Sequence, residues 1–286
     1  MDPKNNGNLL VLNAMMILPE KTVLGDLRTE NGTISEIKIG GGLEPNDNEH
    51  VIDATGLHLL PGAIDPQVHF REPGQPEKED LGSGSAAAVS GGITSFLDMP
   101  NNKPAITDMK GMQMKLDSAA ATCVNNYGFF IGATPTNLAE LQEVVGTAEA
   151  PRAIPGICGT KVFMGSSTGT LLVNEREALD TIFGGIGGLI AVHAEDEDRL
   201  NERYPSFEHR TDMAAHAEWR DDVTALLATQ LAVELAERHQ HRLHILHLTS
   251  GLEADWLEGR TSLPSQAVGK GVITTEVLPQ HLTFNE

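Results

Sequence analysis

Apolar residues along the chain fall into short runs, and the spacing of these runs changes near residue 58. Between residues 9 and 55 the runs are separated by turn signals such as Asn-Gly, and no helical period occurs. This pattern predicts short strands of a small antiparallel β unit. From residue 58 onward, strand-like apolar runs alternate with helix-like segments. We therefore predict two domains, residues 1–57 and residues 58–286.

The second region contains seven strand-like runs, namely HLLPGAID, ITSFLDMP, YGFFIGAT, GTKVFM, GGLIAVHAE, LHILHLTS and VITTEVLP. The helix-like segments between them are SGSAAAVSGG, MKGMQMKLDSAAATC, NLAELQEVVGTA, EREALDTIFGG and VTALLATQLAVELAERHQ. Runs that are apolar throughout are typical of a parallel sheet that is buried on both faces. Seven such strand and connection units predict an α/β fold, a TIM-like (β/α)8 barrel that is one strand short.

Composition and charge narrow the function classes. The formal net charge of −20 argues against nucleic-acid binding, which needs a basic surface to displace counterions. Cys123 and Cys158 are far apart without a CxxC pattern, so we expect no thiolate zinc site and a reducing, cytoplasmic setting. We find no signal peptide and no apolar run of the ~18 residues that a spanning helix needs. We therefore expect a soluble protein that binds no membrane.

Polar residues at the carboxyl ends of the predicted strands are the candidate functional residues, because barrel active sites form at that face. In LPGAIDPQVHFREPG these residues alternate along the chain, so a β-strand would point them to the same side. They are Asp65, Gln67, His69 and Arg71. The corresponding positions after later strands carry Asn101, Lys161, His193, His247, Gln280 and His281.

Three of these residues suit a metal centre. Lys161 has apolar neighbours in its strand, so we expect burial to disfavour its ammonium form. A neutral amine can react with carbon dioxide to give a carbamate, whose two oxygens can bridge two cations. His193 and His247 follow apolar residues, and neutral imidazole is a good zinc ligand. A lone histidine is more often structural, as we expect for His244, so their joint occurrence at strand ends favours the metal.

The motifs PGxIDxxVHFREPG, GGITSFLDMPN, KVFMGSSTG, VHAE, LHILHLTS and TTEVxxxHL together resemble those of the dihydroorotases, cyclic amidohydrolases of the amidohydrolase superfamily. The resemblance runs from the N-terminal strands to the last residue. It implies a metal-dependent hydrolase barrel with a small N-terminal β-sandwich portion. By position, Lys161 matches a carboxylated lysine that bridges one or two zinc ions, and the histidine ligands would be His69, His193 and His247.

The same resemblance implies how substrate binds. Arg71 and Asn101 match the residues that hold the substrate's carboxylate, a planar, bidentate task for which arginine is suited. The loop at residues 165–169 would lie near the pocket. The implied reaction is the reversible cyclisation of N-carbamoyl-L-aspartate to L-dihydroorotate, in de novo pyrimidine biosynthesis.

The sequence departs from the family pattern at three points. Gln67 replaces the first histidine of a His-x-His motif and is a doubtful ligand, because an amide oxygen binds zinc less well than imidazole. A branch of the family shares this QVHFREPG form. Gln280 precedes His281 where relatives commonly have paired histidines. The family's eighth strand, whose aspartate is both ligand and general acid/base, is not found before Glu286. We therefore expect a C-terminal truncation, and little activity from these residues alone.

Two alternatives stay open at this point. Dihydropyrimidinases and allantoinases share the scaffold and the lysine, but Arg71 favours dihydroorotate, because dihydropyrimidine lacks the carboxylate that an arginine would bind. A catalytically inactive homologue could instead serve as a scaffold for aspartate transcarbamoylase. Gln67 and the missing aspartate favour this alternative, whereas retention of the lysine and the histidines disfavours it. We expect a small-molecule substrate and a homodimer or higher oligomer.

Overall fold

The computed structural model describes residues 8–165, 170–262 and 271–284. The chain divides into two compact units, Met1–Gly62 and Ala63–Glu286. The run HLLPGAID contributes to both units, because Pro61 and Gly62 interrupt it. Its first part, His58–Leu59, pairs with the first sheet, and its second part begins the first strand of the second sheet.

The first unit is one five-stranded sheet. Its strands are β1 (Leu9–Ile17), β2 (Thr22–Glu30), β3 (Thr33–Ile39), β4 (His50–Asp53) and β5 (His58–Leu59). Strands β1, β2 and β3 are antiparallel, and the Asn-Gly turn joins β2 to β3 with positive φ at both residues. However, β4 and β5 pair with β1 in parallel. The predicted antiparallel unit is therefore confirmed for β1, β2 and β3 and wrong for β4 and β5, because the chain passes from β3 to the far side of β1 before forming β4.

The second unit contains a seven-stranded sheet. Its strands are β6 (Ala63–Val68), β7 (Ile93–Asp98), β8 (Asn126–Gly132), β9 (Ile157–Phe163), β10 (Leu189–His193), β11 (Arg242–Ile245) and β12 (Ile273–Thr275). All neighbours are parallel and the strand order follows the sequence, as in a barrel. The sheet curls into a half-barrel. The predicted incomplete TIM-like fold is confirmed.

Helices connect these strands. They are α1 (Leu81–Ser90), α2 (Met109–Thr122), α3 (Leu138–Val145), α4 (Arg176–Gly185), α5 (Glu197–Arg203), α6 (Ala214–Trp219), α7 (Asp222–His239), α8 (Gly251–Leu257) and α9 (Pro279–Thr283), with a 3-10 turn at Tyr204–Ser206. The five predicted helices correspond to α1, α2, α3, α4 and α7. Asp80, Asp108 and Asp221 begin three of them by accepting a backbone N–H in the first turn.

The core of the second unit lies between the sheet and these helices. Phe70, Phe96 and Phe129 pack edge to face, and apolar residues of α3, α4 and α7 continue the same cluster. This packing fixes the carboxyl ends of the strands, where the candidate residues lie. Among the helices that the structure describes, none combines the length and the apolar character that crossing a membrane requires.

Candidate active site

The first group of candidate residues lies at the end of β6. Pro66 has no N–H to donate to the sheet, and the β6–β7 pairing shifts register between Asp65 and Val68. The strand ends at Val68, so His69 and Arg71 lie in the segment that follows it. Simple alternation along one strand therefore does not describe this group. The Gln67 Oε1 atom is buried and has no hydrogen-bond partner among the described residues.

His69 is held by Asn101, which follows β7. The two side chains meet at 2.7 Å between His69 Nδ1 and Asn101 Oδ1, so Nδ1–H donates and the Nε2 lone pair remains available. Burial lowers the pKa of His69 to about 4, against the opposing effect of Asn101, and the positive charge of Arg71 adds to the decrease. His69 is therefore a neutral imidazole at physiological pH, the form that binds metals.

A buried network supports the segment that carries His69 and Arg71. It consists of Asp98, Lys115 and Asn102, and we call these three residues the buried network. Lys115 Nζ lies 2.6 Å from Asp98 Oδ2 and donates to Asn102 Oδ1 at 2.7 Å. Asp98 Oδ1 accepts the Phe70 N–H at 3.0 Å, and Asn102 Nδ2 donates to the carbonyls of residues 70 and 72. The backbone on both sides of Arg71 is thereby held by charged and amide groups.

Lys161 lies in the middle of the sheet, on β9. Its side chain is 0% exposed, and its Nζ has no hydrogen-bond partner among the described residues. The amine lies 4.3 Å from the centre of the Phe163 ring. Burial holds the pKa of Lys161 well below its usual value, although the Glu276 carboxylate opposes this effect. The predicted burial of this lysine is confirmed, and the neutral amine is the form that can react with carbon dioxide.

His193 and His247 meet at the ends of β10 and β11. His193 Nδ1 lies 3.0 Å from His247 Nε2, and the two rings are nearly perpendicular. Burial lowers the pKa of both side chains, to about 3 for His247. His247 has a φ of 38°. This left-handed conformation costs a histidine about 1–2 kcal/mol, so the fold keeps the residue here against its backbone preference.

Two charged residues flank His193 on its other side. Glu195 Oε2 lies 2.6 Å from His193 Nε2, and Arg220 donates to both carboxylate oxygens of Glu195. We call Glu195 and Arg220 the rim pair. Burial would raise the pKa of Glu195, but its hydrogen bonds to Arg220 and His193 outweigh this effect and hold the pKa at about 2. Glu195 is therefore a carboxylate that accepts hydrogen bonds.

Glu276 follows β12 and contacts two histidine residues. Its carboxylate accepts the His247 backbone N–H at 3.4 Å and the His244 Nε2–H at 3.2 Å. His244 also contacts Thr274 Oγ1 at 2.8 Å through Nδ1, so its contacts lie away from the His193–His247 pair. Burial raises the pKa of Asp65, and the negative charge of Glu276 adds to the increase. Glu276 thus brings negative charge close to both Asp65 and Lys161.

The residues present fit a metal centre of the type that the sequence implies. In residues 8–165, 170–262 and 271–284, no three His, Cys, Asp or Glu side chains form a metal-binding group. The centre of the Phe163 ring, however, lies 4.3 Å from Lys161 Nζ and 6.0 Å from the centre of the His193 ring, so this unpartnered amine and His193 contact the same side chain. A tetrahedral zinc ion holds two nitrogen ligands about 3.3 Å apart. The 3.0 Å between His193 Nδ1 and His247 Nε2 is close to this spacing.

A cleft of about 770 Å³ opens beside these histidines, and its lining includes His193, Glu195, Arg220, His247 and His281. This volume suits a small molecule. Gln280 and His281 lie in α9 rather than on a strand, and His281 Nδ1–H donates to the Leu248 carbonyl at 3.1 Å. Of the loop predicted near the pocket, residues 166–169 lie outside the described residues.

Sequence reasoning missed Glu195, Arg220 and Glu276 as candidate residues. Glu276 follows its strand directly, and Glu195 follows His193 by two residues, so the rule that selected the histidines could also have found both. Arg220 carried no such signal. It lies between α6 and α7 and reaches Glu195 only because the intervening segment folds back.

Comparisons with known proteins place this site in a family. Residues 58–236 match the model of the amidohydrolase family. The chain is 34% identical over 260 residues to a dihydroorotase of Methanosarcina acetivorans, with 90% of this chain and 53% of that protein covered. It is also 34% identical over 276 residues to an allantoinase of Rubrobacter xylanophilus, with 92% of this chain and 56% of that protein covered.

A solved structure shows the same fold. An L-hydantoinase from Arthrobacter aurescens superimposes with a TM-score of 0.81 at 23% identity, covering 97% of this chain and 60% of that chain. The chain thus spans about half the length of the curated relatives it matches. The family model covers more than half of the chain, and it includes His69, which follows β6, and the strands that carry Lys161 and His193. The chain belongs to the amidohydrolase family.

Proposed function

We propose that the protein is a metal-dependent hydrolase of cyclic amides and that its substrate is L-dihydroorotate, formed reversibly from N-carbamoyl-L-aspartate. The observation that carries this proposal is the buried, unpartnered amine of Lys161, which contacts the same Phe163 ring as His193, one of two candidate histidines whose ring nitrogens lie 3.0 Å apart. A buried amine without a partner is costly in a purely structural role. Carboxylation would turn it into an anionic ligand on the strand next to the one that carries His193.

His69, His193, His247 and carboxylated Lys161 would hold one or two zinc ions. Zinc would supply Lewis-acid polarisation of the amide carbonyl and an activated water. The neutral imidazoles offer their lone pairs, and the hydrogen bond from His69 Nδ1–H to Asn101 orients the first ring. Gln67 Oε1 is a buried acceptor on β6, the strand that precedes His69, which makes it an additional, weaker candidate ligand.

Arg71 and Asn101 would orient the substrate. Arg71 offers a planar donor pair for the carboxylate, and the buried network fixes the backbone on either side of it. Dihydroorotate has this carboxylate and dihydropyrimidines lack it. We therefore propose dihydroorotate, rather than another cyclic amide, as the substrate. A role in pyrimidine biosynthesis follows from this substrate. A cytoplasmic location, self-association and an aspartate transcarbamoylase partner stay predictions.

The test uses the full-length protein loaded with zinc and compares kcat/KM for dihydroorotate, allantoin and dihydrouracil. We expect dihydroorotate to be hydrolysed with the largest kcat/KM. Arg71→Met should lower kcat/KM for dihydroorotate about 100-fold, because charge-assisted hydrogen bonds to the carboxylate are lost. Any residual hydrolysis of dihydrouracil should change little. Lys161→Met should abolish turnover of every substrate.

The outcomes separate the two levels of the proposal. A zinc-loaded protein that prefers allantoin or dihydrouracil contradicts dihydroorotate as the substrate but leaves the cyclic amidase intact. A correctly folded, zinc-loaded protein that hydrolyses none of these amides contradicts the hydrolase itself.

A further inference from the structure

Glu195 holds two partners at once. One carboxylate oxygen, Oε2, accepts from His193 Nε2 at 2.6 Å and from Arg220 Nη2, while Oε1 accepts from Arg220 Nε at 2.8 Å. The arginine fork therefore fixes the plane of the carboxylate, and the carboxylate in turn contacts the ring of a candidate metal ligand. This arrangement is independent of the contacts between His193 and His247.

The contact determines which nitrogen of His193 carries the proton. A carboxylate only accepts hydrogen bonds, so the nitrogen that faces it must be protonated. A neutral imidazole has one N–H, and the Nδ1 atom then presents its lone pair. Nδ1 is the atom that lies 3.0 Å from His247 Nε2. Glu195 thus determines that the lone pair points toward the position proposed for the metal.

Arg220 is held in place by the segment between β10 and α7. Trp219 Nε1 donates to the Leu200 carbonyl at 2.8 Å, and Arg203 Nε donates to the Trp219 carbonyl at 3.1 Å. On the other side of Arg220, Asp221 caps α7 through the Thr224 N–H at 3.0 Å. Both neighbours of the arginine are therefore anchored to helices, so its position follows from the fold of this segment rather than from the site.

We propose that Glu195 and Arg220 are positioning residues that hold His193 in the Nε2–H tautomer and so direct its Nδ1 lone pair to the metal. This inference rests on the proposed metal-dependent function and extends it to two residues that are not themselves proposed as metal ligands. Arg220 acts through Glu195, and Glu195 acts through His193. The segment between β10 and α7, which contains α5 and α6, then has a function: its fold brings Arg220 back to the end of β10.

The first experiment measures the tautomer directly. Nitrogen-15 NMR of histidine-labelled, zinc-free protein at pH 7.5, with the His193 signals assigned by loss in His193→Gln, should show a single Nε2–H tautomer. In Glu195→Ala we expect both ring nitrogens to shift toward the values of a mixed population of tautomers. A purely structural role for Glu195 would leave these signals unchanged in a folded variant.

The second experiment measures zinc affinity by competition with a chelator. We expect Glu195→Ala to weaken binding about 10- to 100-fold, the usual effect of losing the hydrogen-bond partner of a histidine ligand. Arg220→Met should weaken it less, because Glu195 remains. Glu195→Gln tests the same contact in an isosteric side chain. The matched control is Glu218→Ala, which removes a carboxylate from the same segment that pairs with Arg210 rather than with a histidine.

The control should keep the zinc affinity of the starting protein. The inference is overturned if Glu195→Ala folds, retains the single-tautomer spectrum and binds zinc within threefold of the starting protein. Neither measurement requires turnover. A protein that binds zinc but does not hydrolyse dihydroorotate therefore contradicts the proposed substrate while leaving this inference to be decided by the tautomer and the affinity.

Discussion

The two sides of the candidate site hold their histidines by opposite means. On the β6–β7 side, the buried network lies beneath His69 and Arg71, and its ion pair has side chains that are 1% and 0% exposed. On the β10–β11 side, the rim pair holds His193 with side chains that are 20% and 14% exposed. The first side is held by an ion pair that is buried in the core. The second side is held by a partly exposed ion pair whose arginine lies between α6 and α7.

This difference in burial determines how much stability each side loses when one of its charges is removed. A buried charge that loses its partner remains in a medium of low dielectric, so the loss is severe. A charge at the rim regains water, and the loss is modest. The β6–β7 side therefore forms together with the core, whereas the β10–β11 side can be altered without unfolding the protein. The following predictions test this contrast.

Lys115→Met should have the largest effect. It leaves Asp98 without its cation in the core, and we expect a loss of about 3–5 kcal/mol in the free energy of unfolding at pH 7. Arg220→Met, the matched change in the rim pair, should cost about 1–2 kcal/mol. Urea denaturation measures both values.

The double variant Asp98→Asn with Lys115→Met removes both charges and should recover much of the loss. Equal costs for Lys115→Met and Arg220→Met would contradict the distinction between the two sides.

The pH dependence of stability should show the same contrast. Burial raises the pKa of Asp98 to about 6 against the opposing charge of Lys115. Because this value lies above the usual 3.8, the folded protein binds the proton more tightly than the unfolded chain does. The contribution of Asp98 is therefore complete below pH 3.8 and is lost as the pH rises through 6.

Relative to the uncharged double variant, the starting protein should lose about 2 kcal/mol of unfolding free energy between pH 4 and pH 7. Asp221, near the rim, should behave in the opposite way. Its hydrogen bond to Arg199 lowers its pKa, so its contribution is lost as the pH falls below 3.8. Urea denaturation curves between about pH 3 and pH 7 measure both trends. A starting protein that becomes more stable relative to the double variant as the pH rises from 4 to 7 would contradict the burial argument.

Asn102→Ala should affect substrate binding rather than folding alone. It removes the two hydrogen bonds to the carbonyls of Phe70 and Glu72, on either side of Arg71. We expect KM for dihydroorotate to rise about 30-fold, or about 2 kcal/mol, with kcat changed less than about threefold. Steady-state kinetics of the zinc-loaded protein provide the measurement. Asn126→Ala, which removes a similar contact to Thr94 at the opposite end of the sheet, should leave KM unchanged.

Much of the fold and part of the site could be predicted from the sequence. Buried parallel strands are apolar along their whole length, so β7 to β11 could be recognised from their own sequences, without knowledge of the strands they pair with. Polar residues near or just after the carboxyl ends of such strands lie at one face of the sheet, which identified Lys161, His193 and His247. Apolar neighbours of Lys161 predicted its burial, since a central strand has no exposed face.

The remaining features depend on tertiary contacts that no periodicity encodes. Arg220 lies 25 residues after Glu195, and they meet only through the packing of α5 and α6, which are short and have no strong apolar period. The parallel pairing of β4 with β1 depends on the path of an irregular connection. The left-handed backbone at His247 is equally unpredictable, because it opposes the intrinsic preference of histidine.

Gln67→His should have the smallest effect of these substitutions, and the effect should be on zinc affinity. The β6–β7 side offers one imidazole and a buried, unpartnered amide oxygen, whereas the β10–β11 side offers two imidazoles. Replacing the amide with imidazole gives a better zinc ligand on the same strand. We expect zinc affinity to increase about tenfold, or about 1.4 kcal/mol, measured by chelator competition. Gln113→His on the exposed face of α2 is the control for nonspecific binding. If Gln67→His binds zinc no more tightly than this control, Gln67 does not occupy a ligand position, and the β6–β7 side would hold metal through His69 alone.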